Sequence, residues 1–90
     1  MRLYVGNLEH SVTDSELKKL FCAFGKVAKA RVVTDHYTRQ SKGFGYVVMA
    51  ESESGDHAIA VMNGTLLRDR PLVVNEARPR DKRLGHGWWL

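Results

Sequence analysis

The chain has 90 residues, of which 43% are hydrophobic and 27% charged, the balance of one ordinary globular domain. Its formal net charge is +4, and most of it comes from Arg78, Arg80, Lys82 and Arg83, offset by Asp81, so the rest is almost neutral. This distribution excludes a histone-like polycation, and no run approaches the roughly 18 apolar residues of a membrane span.

Cysteine use and the first residues both bear on the compartment. The only cysteine, Cys22, excludes an internal disulfide and agrees with a reducing interior. The sequence starts directly with a strand pattern and shows no basic region followed by an apolar signal core. We therefore expect a protein that is not secreted and that stays in the cytoplasm.

Residues 3–8 (LYVGNL) form the first predicted strand, which ends at a Gly-Asn turn signal. Successive side chains of a strand point to opposite faces, so Leu3 and Val5 should face the core and Tyr4 the other side.

A helix should follow, because residues 13–16 (TDSE) read as a capping box in which Thr13 and Glu16 each satisfy a free amide. Gly25 is expected to end this helix. Its apolar stripe, predicted to lie in the core, has helical spacing and comprises Leu17, Leu20, Phe21 and Phe24.

Residues 27–34 form the second predicted strand, with β-branched residues at its end. Alternation places Ala30 and Val32 inward, and Lys29, Arg31 and Val33 on the opposite face. Residues 35–41 form a polar connection to the next strand.

Residues 42–49 (KGFGYVVM) form the third predicted strand, in which Lys42, Phe44 and Tyr46 share one face. The other face is small and then apolar, as fits packing against helices. Burying the two rings in a core would also bury Lys42 without a partner. A solvent-facing surface with rings and a cation suits flat anionic ligands instead, because bases stack on rings and lysine meets phosphate.

A second helix should begin within residues 51–56, whose acidic first turn suits the helix dipole, and end at Asn63-Gly64. Residues 68–71 (RDRP) are a turn into a last strand over residues 72–77. In that strand Leu72 and Val74 should point inward. The residues expected on the face with the rings are Val73, Asn75 and Ala77.

The hexapeptide 3–8 and the octapeptide 42–49 resemble the two motifs of the RNA recognition motif family. Seven of the eight octapeptide positions fit that family's pattern, and the departure is Met49 in place of an aromatic residue. This side chain should face the core, where methionine packs well, so ligand binding should stay intact. The resemblance covers about residues 2–79. The end of this stretch resembles that of the small single-domain RNA-binding proteins of bacteria and organelles.

The order strand, helix, strand, strand, helix, strand agrees with this resemblance. It predicts an α+β fold, the ferredoxin-like βαββαβ sandwich with a four-stranded antiparallel sheet and two helices on one face. We expect one domain over residues 1–79 and a basic, flexible tail over residues 80–90. Trp88 and Trp89 in the tail could stack on bases, pack against the domain, mediate self-association, or be additions to the natural sequence.

The resemblance implies binding of single-stranded RNA on the open sheet surface. Tyr4 and Tyr46 should each stack one base, Phe44 should lie against sugars, and Lys42 should meet a phosphate. The remaining implied contacts are Asn75, Ala77 and Arg78, which read base edges at the end of the last strand, and the sheet residues Arg31 and Val33. Single-stranded DNA is a possible alternative partner, because stacking surfaces accept both.

The loops differ in what the resemblance implies for them. Asn7 should have a structural role and close the first loop. Arg39 stands where the family often has glycine, so the turn should be altered and carry an extra charge. Tyr37 is either a contact at the tip of this loop or simply an exposed aromatic residue.

Two other classes of function fit the residues less well than RNA binding. An acylphosphatase-like enzyme shares this fold class, but its phosphate-cradling loop would here be residues 6–11, which have no arginine and include the acidic Glu9. The four histidines lack metal-ligand spacing, so we expect no catalysis, metal or cofactor. Some members of the resembled family bind proteins through the sheet, but the rings and cations here favour nucleic acid. The expected molecule is a monomer.

Overall fold

The computed structural model describes residues 1–77. The predictions for Arg78, the basic tail, Trp88 and Trp89 fall outside these residues. Within them the chain forms the strands β1 (Arg2–Gly6), β2 (Val27–Thr34), β3 (Ser41–Met49), β4 (Leu66–Leu67), β5 (Arg70–Pro71) and β6 (Val73–Glu76), and the helices α1 (Asp14–Cys22) and α2 (Ser52–Met62).

Four strands form an antiparallel sheet in the order β2-β3-β1-β6. One apolar core joins the inward side chains of these strands to the buried residues of both helices, so the helices cover one face of the sheet. The predicted ferredoxin-like α+β sandwich is confirmed. The face turned away from the helices is called the open face below. No helix in residues 1–77 is long and apolar enough to cross a membrane.

The core contains the side chains that alternation assigned to it. Leu3, Val5 and Val47 are fully buried, and Phe21 fills the centre of the stripe on α1. Met49, the departure from the octapeptide pattern, is 1% exposed, so its predicted place in the core is confirmed.

The start of α1 confirms one half of the predicted capping box. The side-chain oxygen of Thr13 accepts a hydrogen bond from the Glu16 amide at 3.2 Å. The Glu16 carboxylate accepts instead from the guanidinium of Arg68 at 2.8 Å, which joins α1 to the turn between β4 and β5. The helix ends at Cys22, three residues before the predicted stop at Gly25.

Strand β2 contains a bulge that simple alternation does not predict. Val27 lies opposite Met49, but Lys29 lies opposite Val48, so Ala28 is an extra residue in β2. The bulge lets Val27 enter the core at 7% exposure while Lys29 remains exposed. Residues 27 and 29 would otherwise share a face.

The last strand of the sheet is one residue shorter at each end than the predicted 72–77, and a short hairpin precedes it. Residues 70–71 pair with residues 66–67 in a separate hairpin, and only Val73–Glu76 join the main sheet. The two turn residues, Arg68 and Asp69, have left-handed φ angles of 51° and 66°, as a two-residue hairpin turn requires. The predicted turn therefore lies within residues 68–71, but its second half is already strand.

Side chains also fix the edges of the sheet. The Asn63 side-chain oxygen, at the end of α2, accepts a hydrogen bond from the Val74 amide at 3.0 Å and so ties β6 to this helix. At the opposite edge, the Asp14 carboxylate accepts from the Val32 amide of β2 at 2.7 Å. The first turn of α1 is thereby tied to the outer strand.

Candidate nucleic-acid interface

The strand register aligns four side chains in one row across the open face. Tyr4 on β1 lies opposite Tyr46 on β3 and opposite Asn75 on β6, and Tyr46 lies opposite Arg31 on β2. Directly opposed residues of antiparallel strands have Cβ atoms about 4.5–5.5 Å apart. The row therefore brings together four residues that are distant in the sequence, as predicted for this face.

Phe44 completes a cluster of three rings, called the aromatic cluster (Tyr4, Phe44 and Tyr46). The ring centroids of Tyr4 and Phe44 are 5.8 Å apart with an interplanar angle of 32°. Those of Phe44 and Tyr46 are 6.4 Å apart and nearly perpendicular, at 89°. All three residues are partly exposed, so ring surface on the open face is available for stacking.

Tyr46 stays an uncharged phenol over the physiological range. Burial raises the pKa of its hydroxyl, and the positive charge of Arg2 opposes this shift only in part. The hydroxyl oxygen is buried and has no hydrogen-bond partner among residues 1–77. The guanidinium carbon of Arg2 lies 5.8 Å from the ring centroid, within the range of a cation–π contact. A neutral ring beside a cation does not repel a polyanion.

The cations of the open face form no ion pair within residues 1–77. Every ion pair in this part of the chain involves Glu9 or Glu16, which lie outside the sheet. Lys42 and Arg31 are exposed. The charge of Lys42 adds to the amide hydrogen bonds that lower the pKa of Asp35, but no carboxylate lies within 4 Å of it in residues 1–77, so it can still contact a phosphate group.

The remaining predicted contacts divide into exposed and buried. Asn75 is exposed and Val33 is partly exposed on the open face. Ala77 is only 3% exposed, although it does not belong to the apolar core between sheet and helices. Its amide donates a hydrogen bond to the Arg2 carbonyl at 2.8 Å, which continues the pairing with β1 past the end of β6 and holds Ala77 against that strand.

The connection between β2 and β3 contains a residue in a conformation that glycine adopts readily. Arg39 has a left-handed φ of 65°, and its exposed side chain carries the expected extra charge in this loop. The Asp35 carboxylate accepts hydrogen bonds from the amides of Tyr37 and Thr38 at 2.8 and 2.9 Å. The amide of Thr38, then that of Tyr37, lowers the pKa of Asp35. Tyr37 itself is 89% exposed.

The loop after β1 is organised by side chains of its own. Asn7 has a left-handed φ of 59°, donates to the Pro71 carbonyl at 2.8 Å and accepts from Arg70 at 3.1 Å. Its predicted structural role is confirmed. The Glu9 carboxylate also projects in this loop, where hydrogen bonds from the side chain and amide of Ser11 lower its pKa. An anionic group at this position is unfavourable for phosphate.

The structure adds one cation to those that the sequence placed on the open face. Arg2 lies there beside Tyr46, and Lys29 has the position that alternation predicted, opposite Val48. Arg2 could have been found from the sequence, because it stands two residues before Tyr4 and shares its face.

The model of the RNA recognition motif matches residues 3–73. The chain belongs to the RNA recognition motif family. The matched residues include all three rings of the aromatic cluster, which agrees with the resemblance carried by the hexapeptide and the octapeptide.

Two relatives and one solved structure show the extent of the similarity. RbpE of Nostoc sp., named as a candidate RNA-binding protein, is 42% identical over 92 residues, which cover 99% of this chain and 93% of RbpE. The chloroplast 28 kDa ribonucleoprotein of Spinacia oleracea is 45% identical over 91% of this chain. A solved complex of the Sex-lethal protein with RNA has a TM-score of 0.84 at 34% identity and covers 90% of this chain and 48% of its own.

These relatives differ in how much of their length this chain matches. It spans nearly all of RbpE but 35% of the spinach ribonucleoprotein. This chain therefore matches one part of the longer chloroplast protein.

Proposed function

We propose that this chain binds single-stranded RNA on the open face of its sheet. The observation that carries the proposal is the aromatic cluster: three partly exposed rings lie on one face, beside cations that form no ion pair within residues 1–77. Stacking of a base on an aromatic side chain is worth about 1–3 kcal/mol, and phosphates add a salt-dependent attraction to the cations.

Each side chain has a distinct part in this proposal. Tyr4 and Tyr46 each stack one base, and Phe44, which lies between them, contacts the sugars. Lys42 and Arg31 meet phosphates. The bound segment is short, about two to four nucleotides, because the sheet offers few stacking positions.

Base-edge recognition is assigned to the end of β6. Asn75 lies opposite Tyr4 and is exposed, so its side-chain amide can reach the edge of a base stacked on that ring. Val33 supplies an apolar contact from β2. The buried Ala77 can contribute through its carbonyl, and Arg78 keeps its predicted role.

The proposal also covers where in the cell this chain acts and in which process. The near full-length match to RbpE supports a small RNA-binding protein that acts in the cytoplasm of a bacterial cell. We place its role in post-transcriptional regulation or RNA chaperoning, as a monomer that binds without catalysis. Its site consists of aromatic, cationic and amide groups, which stack and form hydrogen bonds.

The test is a fluorescence anisotropy titration of a labelled mixed-sequence RNA octanucleotide with the full chain. The Tyr4→Ala, Tyr46→Ala double variant should bind at least about tenfold more weakly, because it loses two stacking positions. Leu66→Ala serves as the control, since this side chain is 66% exposed and lies in the hairpin outside the four-stranded sheet. Equal affinity of the double variant and the wild type would reject the aromatic cluster as the site.

Two further ligands separate the alternatives in the same experiment. Duplex RNA of the same sequence should bind more weakly, because its bases cannot stack on the sheet. The DNA octanucleotide measures how much the 2′-hydroxyls contribute. If no oligonucleotide binds at low salt, the sheet is better explained as a surface for a protein partner.

A further inference from the structure

One row of the open face lies beyond the aromatic cluster and takes no part in the site proposed above. The register places Val48 on β3 opposite Arg2 on β1 and opposite Lys29 on β2. Val48 is two residues from Tyr46 and therefore shares its face. These three residues are called the basic row: two cations flank one partly buried aliphatic side chain, adjacent to the row of Tyr46 and Tyr4.

The basic row lies next to the bulge in β2. Without the extra residue Ala28, Val27 and Lys29 would point to the same face. Lys29 is on the open face in regular alternation with Arg31, opposite Val48, and the bulge turns Val27 away from this face into the core. Bulges beside functional sites commonly redirect a side chain in this way.

The charges of the basic row are available to an anionic ligand. Within residues 1–77 no carboxylate lies within 4 Å of Arg2 or Lys29. The acidic residue of the neighbouring strand, Glu76, lies opposite Leu3, whose side chain points into the core. Arg2 also contacts the ring of Tyr46, so the row is continuous with the stacking surface.

We infer that the basic row binds one further nucleotide of the RNA strand that continues past Tyr46. Val48 forms an apolar floor under its sugar or base, and Arg2 and Lys29 contact the phosphates on either side. This inference rests on the proposed function, since it extends that site. An aliphatic floor and two phosphate contacts read no base edge, so this position accepts any base.

Salt dependence provides the direct test. For single strands, log K falls with log salt by about 0.7 for each phosphate that a protein neutralises. With the mixed-sequence RNA octanucleotide, Lys29→Ala should make the slope shallower by about 0.7, and the Arg2→Ala, Lys29→Ala double variant by about 1.4. The double variant should bind about tenfold more weakly than the wild type at 0.15 M salt.

Two matched variants separate a local contact from other effects. The Lys18→Ala, Lys19→Ala variant makes the same change in net charge on the exposed side of α1 and should keep the wild-type slope. Arg2→Lys keeps the charge but removes the guanidinium from Tyr46, and should also keep the slope. Circular dichroism and thermal unfolding verify the fold of every variant.

The outcomes distinguish this inference from the proposed function. If the Tyr4→Ala, Tyr46→Ala variant loses binding while the basic-row variants keep the wild-type slope and affinity, the extension is wrong and the aromatic cluster stands. If the α1 variant lowers the slope as much as the basic-row variant, the effect is bulk charge and the extension is again wrong. If the aromatic variant binds like the wild type, the proposed function itself fails.

Discussion

The ring of Tyr4 lies against the backbone of Gly6. A Cβ atom built on Gly6 would come within 2.5 Å of the Tyr4 hydroxyl oxygen and within 2.8 Å of its ring carbon Cε2. Gly6 also lies opposite Phe44 in the register of β1 and β3. The absence of a side chain at residue 6 therefore lets the Tyr4 ring lie on the sheet beside Phe44.

The first prediction follows from this contact. Gly6→Ala should displace the Tyr4 ring and weaken RNA binding several-fold, because a misplaced ring loses part of the stacking energy of about 1–3 kcal/mol. Anisotropy titration of the variant measures the loss. The control is the same substitution in a Tyr4→Ala background, where no ring remains to be displaced. A similar loss in both backgrounds would contradict the explanation, since the effects would then be additive.

The second prediction concerns Arg39, whose left-handed φ of 65° is unfavourable for a residue with a side chain. Arg39→Gly should raise the free energy of unfolding by about 1 kcal/mol, measured by urea denaturation. Gln40→Gly is the matched control: its φ is not positive, so glycine should destabilise the fold by about 0.5–1 kcal/mol. A destabilised Arg39→Gly variant would show that the arginine side chain matters more to the loop than its backbone conformation.

The third prediction separates the two contributions of Asn7. Asn7→Gly keeps the left-handed backbone and removes the bonds to Pro71 and Arg70, at a cost of about 0.5–1.5 kcal/mol. Asn7→Ala should cost about 1–2 kcal/mol more, because alanine is strained at this φ. Urea denaturation of both variants gives the difference. Equal stability of the two would mean that the backbone conformation relaxes.

The fourth prediction concerns pH and the loop between β2 and β3. Hydrogen bonds from the amides of Thr38 and Tyr37 lower the pKa of Asp35 from its ordinary 3.8. A carboxyl group with a lowered pKa stabilises the folded loop above pH 3.8, and this contribution is lost as pH falls through the lower folded value.

Nuclear magnetic resonance can follow this titration. The amide signals of Tyr37 and Thr38 should shift together with a midpoint below 3.8. Asp35→Asn keeps a side-chain oxygen as the acceptor but has no proton to gain, so its loop amides should not titrate there. A midpoint at or above 3.8 in the wild type would show that the two bonds do not favour the ionised form.

The elements that local sequence determines were predicted well. Thr13 caps α1, Phe21 and Met49 lie in the core, and Asn63 ends α2, each from a signal within a few residues. The open face was also predicted, because side-chain alternation within one strand is a local property. Tyr4 and Tyr46 could then be placed together once the order of the strands was known.

The differences come from contacts between distant parts of the chain. The pairing of β2 with β3 determines the bulge at Ala28, and alternation within β2 alone gives no sign of it. Glu16 turns to Arg68, which is 52 residues away in the sequence, so the capping box is incomplete. The amide of Ala77 pairs with Arg2 after β6 has ended, so the pairing with β1 extends beyond the last strand. Each difference reflects a partner that local patterns do not identify.

The bond between Asp14 and Val32 has a consequence for association between molecules. β2 is an outer strand of the sheet, and outer strands can recruit strands of other chains into mixed sheets. Asp14 accepts the hydrogen bond of the Val32 amide, which a strand from another molecule would need for pairing. Its carboxylate at this edge also repels the carbonyl groups of an approaching strand. The residue that starts α1 thus removes one of the free amides through which another chain could extend the sheet along β2.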